Sequence, residues 1–186
     1  MITRRHFSTL AGVSMTSFLV PGMAQTNRPK TALVLGAGSA RGFAHIGVIK
    51  ALEAAGIKPD LIVGASAGSV IGVFYAAGYT GQQMEDIAMK VRDADVIDQS
   101  NNSKRGLIAG AALQKLINTF VKDKPIESLK IPFIAIATNL KNGEAIQLKT
   151  GDTGQAVRAS SSMPGIFLPT SINGTELVDG AISSPL

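Results

Sequence analysis

Several residue types are missing or scarce in this 186-residue chain, and each absence removes a class of chemistry. There is no cysteine, which excludes disulfides and thiolate–metal sites and leaves the redox compartment unread. There is no tryptophan, and aromatic residues make up 5%. Charged residues are 17% against 45% hydrophobic, the reverse of what a disordered chain requires. No apolar run reaches the roughly 18 residues of a spanning helix. No dense lysine–arginine stripe with interleaved aromatics occurs, so nucleic acid is not an expected partner. Histidine occurs twice, as His6 and His45. No compact His/Asp/Glu cluster suggests a metal, and no cofactor is called for.

The N-terminus reads Thr3-Arg4-Arg5-His6-Phe7, then a mildly apolar Leu10–Val20 stretch, then Gly22-Met23-Ala24. An arginine pair, a short apolar region tempered by Ser14, Thr16 and Ser17, and small residues at the end fit a secretory signal of twin-arginine type. Residues 1–24 are therefore expected to be removed, with export to the periplasm or beyond. Taking those 24 residues from 186 leaves 162, enough for one domain with a sizeable core. Arg4 and Arg5 leave with the signal. Residues 25–186 then carry 16 Lys and Arg against 13 Asp and Glu, a mild positive charge compatible with a weak bias toward an anionic membrane surface.

Short apolar strands alternate with helical stretches. Strands are expected at 31–35, 61–63, 132–138, 145–148 and 176–178. Helices are expected at 43–55, 69–77, after Thr80 (whose spacing to Gln83 is that of a capping box), at 107–120, and after Asp152 through Ser161. This order argues an α/β fold with a mostly parallel central sheet, in which ligands bind beyond the carboxyl ends of strands.

Two glycine turns sit at such strand ends. Gly64-Ala65-Ser66-Ala67-Gly68 fits the G-x-S-x-G elbow, which exposes a serine on a strained strand-to-helix turn. Ser66 is the candidate nucleophile; a plain glycine-rich packing turn is the alternative. Gly36-Ala37-Gly38-Ser39-Ala40-Arg41-Gly42 departs from a dinucleotide fingerprint, because Arg41 stands where the third glycine belongs. It suits an oxyanion hole instead, a loop of backbone N–H groups aimed at one point. Arg41 can steady that loop, meet an anionic head group, or be simply solvated.

No histidine follows Ser66, so a triad in the order serine, acid, histidine is excluded. His45 is expected to pack at a helix interface. Among carboxylates, Asp60 stands at the wrong end of its strand. Asp179 ends a strand, just before Gly180, at the edge where Ser66 belongs. On spacing alone it is equally a turn residue of an Asp-Gly pair.

Together, the 36–42 loop, the 64–68 elbow and Asp179-Gly180-Ala181 resemble the patatin-like phospholipases. Ala44-His45-Ile46-Gly47-Val48 and Val157-Arg158-Ala159-Ser160 are similar to bacterial members, and the resemblance runs from about Lys30 to the C-terminus. It implies a three-layer α/β/α fold and a Ser–Asp dyad cleaving acyl esters of lipids or phospholipids, phospholipase A- or lysophospholipase-like. By position Ser66 would be the nucleophile and Asp179 the base. The amides of Gly36, Gly38, Ser39, Ala40, Arg41 and Gly42 would form the oxyanion hole, and Gly64 and Gly68 would shape the elbow. Family members continue well beyond the Asp-Gly motif, whereas six residues follow Gly180 here. Asp179 is therefore expected near a fraying end. The alternative function is a non-catalytic lipid-binding or interaction module.

Overall fold

The computed structural model describes residues 30–101 and 104–185; the expected signal at 1–24 lies outside them. Six strands form one mixed sheet: β1 (Ala32–Leu35), β2 (Leu61–Ala65), β3 (Phe133–Asn139), β4 (Ala145–Leu148), β5 (Thr170–Ile172) and β6 (Thr175–Asp179). The helices are α1 (Ala44–Ala54), α2 (Ala67–Ala77), α3 (Gly81–Ala88), α4 (Asp93–Val96), α5 (Ala111–Val121) and α6 (Thr153–Ser160). β1, β2 and β3 are parallel neighbours, while β4 and β6 each run antiparallel to β3, and β5 antiparallel to β6. Four strands thus point one way and two the other.

The register around β3 positions everything that follows. Ala135 and Ile136 pair with β2 and with β4 at once, so those two strands occupy opposite edges of β3. Ala137 and Thr138 pair with β4 and with β6 at once, so β6 also lies opposite β4. β2 and β6 therefore share one edge of β3 in succession. They run in opposite directions, so their C-terminal ends meet head-on where Ile136, paired with Ala65, gives way to Ala137, paired with Asp179.

Leu35, Ile62, Phe133 and Ala135 face a core closed by Ile46 and Ile49 of α1, Val73 and Phe74 of α2, Ile117 of α5 and Val157 of α6. Successive strand residues point to opposite faces. Val34, Val63 and Ile134, paired across three strands, face the other way; Val34 is 53% exposed. The described helices α1, α2, α5 and α6 thus gather on one face of the sheet.

The Thr80–Gln83 capping box forms as expected, with reciprocal hydrogen bonds of 3.2 and 2.9 Å. Asp152 caps α6. The helix expected at 107–120 instead begins at Ala111. Gly110 is left-handed (φ 81), and Asp98, twelve residues earlier, accepts from the N–H groups of Gly110, Ala111 and Ala112. Those bonds satisfy the first donors of the helix and fix its start. Leu107 and Ile108 are drawn away by bonds of 2.8 Å each to the Ile166 carbonyl. β5 was not anticipated; its three residues pair only with β6.

Candidate active site

Ser66 follows the last residue of β2 and precedes the first of α2, at φ 53 and ψ −124. That conformation costs a side-chain-bearing residue about 1–3 kcal/mol and persists only where its surroundings impose it. The two glycines of the elbow are explained by close approach. A Cβ on Gly64 would lie 2.6 Å from the Gly68 carbonyl oxygen and the Ser69 Cα, and one on Gly68 would collide with the Leu35 and Gly36 carbonyls. β2, α2 and the end of β1 are therefore packed backbone to backbone around the serine. The Ser66 N–H donates to Ser160 Oγ at 3.0 Å, and its carbonyl accepts from Ser69 Oγ at 2.7 Å. Ser160, at the end of α6, falls in the family-like stretch 157–160, but its bond to Ser66, 94 residues away in sequence, is not legible from that pattern.

The head-on meeting of β2 and β6 brings Asp179 to this serine. Ser66 Oγ donates to Asp179 Oδ2 at 2.7 Å across 113 residues of sequence. Asp179 Oδ1 accepts from the Ala181 N–H at 2.8 Å, and the backbone of Asp179 is held by Ser162 and Thr138. Asp179 is 2% exposed, so the expected fraying does not occur. The segment after it is tied down as well: Ser183 Oγ lies 2.8 Å from Thr138 Oγ1, and the Pro185 carbonyl accepts from the Ala37 N–H at 3.0 Å. Burial pushes the Asp179 carboxyl above its ordinary range; the Ala181 N–H and the Ser66 hydroxyl hold back part of that rise. A buried carboxylate that accepts from a serine hydroxyl, with a raised proton affinity, has the properties of a general base.

The glycine loop lies beside this pair, and its groups divide. The Gly36 carbonyl accepts from His45 Nε2 at 2.9 Å, which requires the proton on that nitrogen. Ala37 donates to Pro185, and Arg41 donates its N–H to the Gly38 carbonyl at 2.9 Å. Gly42 packs against Ala67, where a side chain would not fit. The N–H groups of Gly38, Ser39 and Ala40 make no hydrogen bond to another of the described residues. Ser39, Ala40 and Gly42 line one cavity with Ser66 and Asp179; Gly36, Gly38 and the exposed Arg41 do not. Asp60 lies at the far end of β2, accepting from the Thr31 N–H, as its position suggests.

The cavity measures about 480 Å³, and apart from Ser66, Asp179 and two further serines its lining is glycine and apolar side chains. Phe43 (58% exposed), Ile97 (48%), Ile166 (43%) and Met163 (36%) stand both in its lining and at the protein surface, giving the mouth an apolar rim. No cluster of three or more metal-ligating side chains occurs among the described residues.

Residues 33–186 match the family model described as patatin-like phospholipase. The chain belongs to this family. It is 35% identical over 167 residues to an uncharacterized NTE family protein of Mycobacterium tuberculosis, an alignment covering 87% of this chain and 45% of that one. It is 36% identical over 169 residues to lysophospholipase nte1 of Aspergillus niger, covering 80% of this chain and 10% of that protein. The chain thus spans about half the length of the mycobacterial relative and a tenth of the fungal one. Among solved structures, VipD from Legionella pneumophila superposes with a TM-score of 0.56 at 14% identity, over 84% of this chain and 46% of that one. That likeness concerns the fold alone. The patatin-like fold is three-layered α/β/α, and the described residues of this member supply its sheet and the helices of one face.

Proposed function

We propose that this chain is a serine acyl-ester hydrolase acting on lipids, of phospholipase A or lysophospholipase type, that works through a Ser66–Asp179 dyad. One observation carries the reading: the 2.7 Å hydrogen bond from Ser66 Oγ to Asp179 Oδ2 at the floor of an apolar cavity. Asp179 takes the Ser66 proton as Oγ attacks the ester carbonyl. The tetrahedral oxyanion is met by the free N–H groups of Gly38, Ser39 and Ala40, and by the N-terminal end of α2. Collapse expels the alcohol, to which Asp179 returns the proton. Water, activated by the same carboxylate, then releases the acid. Within the 36–42 loop the amides of Ala37 and Arg41 are already spent on the Pro185 and Gly38 carbonyls, and of the remaining residues Ser39 and Ala40 also line the cavity.

The substrate class follows from the cavity and from family membership. The apolar rim of Phe43, Ile97, Met163 and Ile166 suits a protein that takes its substrate from a lipid surface. Export by the twin-arginine-type segment 1–24 would place the activity in the periplasm or outside the cell; the exported protein should then begin at Gln25. The deciding experiment is labelling with a fluorophosphonate probe. Folded protein should label at Ser66, Ser66→Ala should not, and absence of labelling in the folded wild type would leave a non-catalytic lipid-binding module as the better reading.

A further inference from the structure

Beside the cavity at Ser66 lies a second one of about 100 Å³, bordered by α2, α3 and α5 and lined by apolar residues throughout. The two are not independent. Phe43, Val70, Ile71, Val96 and Leu113 line both and form a collar between them. Along α2, Ser66, Ala67, Val70 and Ile71 line the first, and Val70, Ile71 and Phe74 the second. Residues spaced by three and four share one face of a helix. A single stripe of α2 therefore runs from the serine through the collar into the inner chamber, which Met84 and Leu116 also line.

An apolar chamber of this kind stays dry, leaves its walls short of contacts, and welcomes an apolar occupant. Its axis gives the occupant's dimensions. Ser66 to Phe74 is eight residues of α2, about 12 Å at helical rise. An extended chain advances about 3.5 Å per three bonds, so that span holds about ten bonds. The collar at Ile71, five residues along, falls at about six bonds by the same measure.

We propose that the acyl chain of the ester runs along α2 through this collar into the inner chamber. Leu116 and its neighbours Met84 and Ala88 then set the acyl-chain length the enzyme prefers, at about ten carbons. The proposal rests on the ester-hydrolase reading above and goes beyond it by assigning chain length to a chamber remote from the serine. Chains of about six carbons or fewer fill only the outer cavity and ignore the inner one. Longer chains gain up to about fourfold in kcat/KM per methylene buried, until the chamber is full.

The test is the kcat/KM profile on p-nitrophenyl esters from butyrate to palmitate. Wild type should rise from butyrate to about decanoate and then level off. Leu116 is half-buried, so Leu116→Trp should fold and fill the chamber; Ala88→Phe fills it independently from α3. Each should leave butyrate turnover within about twofold while lowering the decanoate-to-butyrate ratio at least tenfold. Leu116→Ala should move the optimum to a longer chain. A flat wild-type profile, or filled variants that keep the wild-type ratio, would overturn the chamber assignment while labelling and butyrate turnover leave the catalytic reading standing. Absence of both labelling and turnover in folded wild type would sink the catalytic reading, and the chamber assignment with it.

Discussion

Replacing Ser66 separately by alanine and by glycine isolates the backbone strain of the elbow from its chemistry. Both variants lose the hydroxyl and the hydrogen bond to Asp179, so both should be inactive and both leave the buried carboxylate equally short of a donor. They differ only in the Cβ that must sit at φ 53, ψ −124. That conformation costs alanine about 1–3 kcal/mol and costs glycine little. Against this stands the greater freedom of glycine in the unfolded chain, about 0.4–1 kcal/mol. Ser66→Gly is therefore expected to be more stable than Ser66→Ala by about 0.5–2 kcal/mol, or about 1–8 °C in melting temperature for a chain of this size. The same Ala/Gly comparison at exposed Ala51 within α1 gives the ordinary sign, with glycine worse by about 0.5–1 kcal/mol. Urea unfolding at neutral pH measures all of these. Should Ser66→Gly prove less stable than Ser66→Ala by the same margin as at Ala51, the elbow stores no strain and the account of Ser66 is wrong.

Four further outcomes follow from the site. The acid limb of kcat/KM should fall above the ordinary aspartate value of 3.8, because burial raises Asp179; a limb at or below that value would contradict the buried base. The same shift has a stability signature. The native state keeps this proton to higher pH than the unfolded chain, so stability falls as pH rises from about 3.8 through the raised value, and Asp179→Asn should remove that slope in pH-dependent unfolding. His45→Ala should lower kcat about tenfold or more with KM little changed, since His45 fixes the Gly36 carbonyl beside the free amides without lining the cavity; an equal loss in KM alone would speak against this role. Gly68→Ala should abolish folding or labelling, because its Cβ would meet the carbonyls that end β1, and a folded, fully labelled variant would refute the packing described.

What could be read in advance divides along physical lines. The elbow, the capping box at Thr80 and the strands up to β4 depend on neighbours within a few residues, and local pattern finds them. The start of α5 was misjudged because its determinants are distant: Asp98 caps it from twelve residues back, and Ile166 captures Leu107 and Ile108. Apolar residues at 107 and 108 suit a helix and a bridge equally, and only the partner decides. The expected fraying of Asp179 failed for a similar reason. Six residues look like a loose end by count, yet Ser183 bonds to Thr138 of the sheet, Pro185 to Ala37 of the glycine loop, and Ser184 closes a local turn onto Gly180. Ser160 and His45 support the site through single hydrogen bonds to backbone, which leave no signature in spacing.

The lack of a histidine between serine and acid also has a structural explanation. In a serine–histidine–acid arrangement, the imidazole spans the distance between two side chains carried at separate places, and it supplies a pKa near neutrality. Here that distance does not exist. β2 and β6 occupy successive halves of one edge of β3 and point at each other, so the residue ending β6 meets the residue following β2 directly. The turn at Gly180 packs against the Ile136 carbonyl and Ala65, which closes the junction without room for a ring between serine and acid. The same closeness buries the carboxylate, and burial supplies the raised proton affinity that imidazole would otherwise provide. One packing arrangement, set by the order in which three strands pair, thus yields both the contact and the basicity. A direct serine–aspartate pair is accordingly the arrangement this sheet favours, and inserting a histidine at position 180 should destroy the junction rather than improve the base.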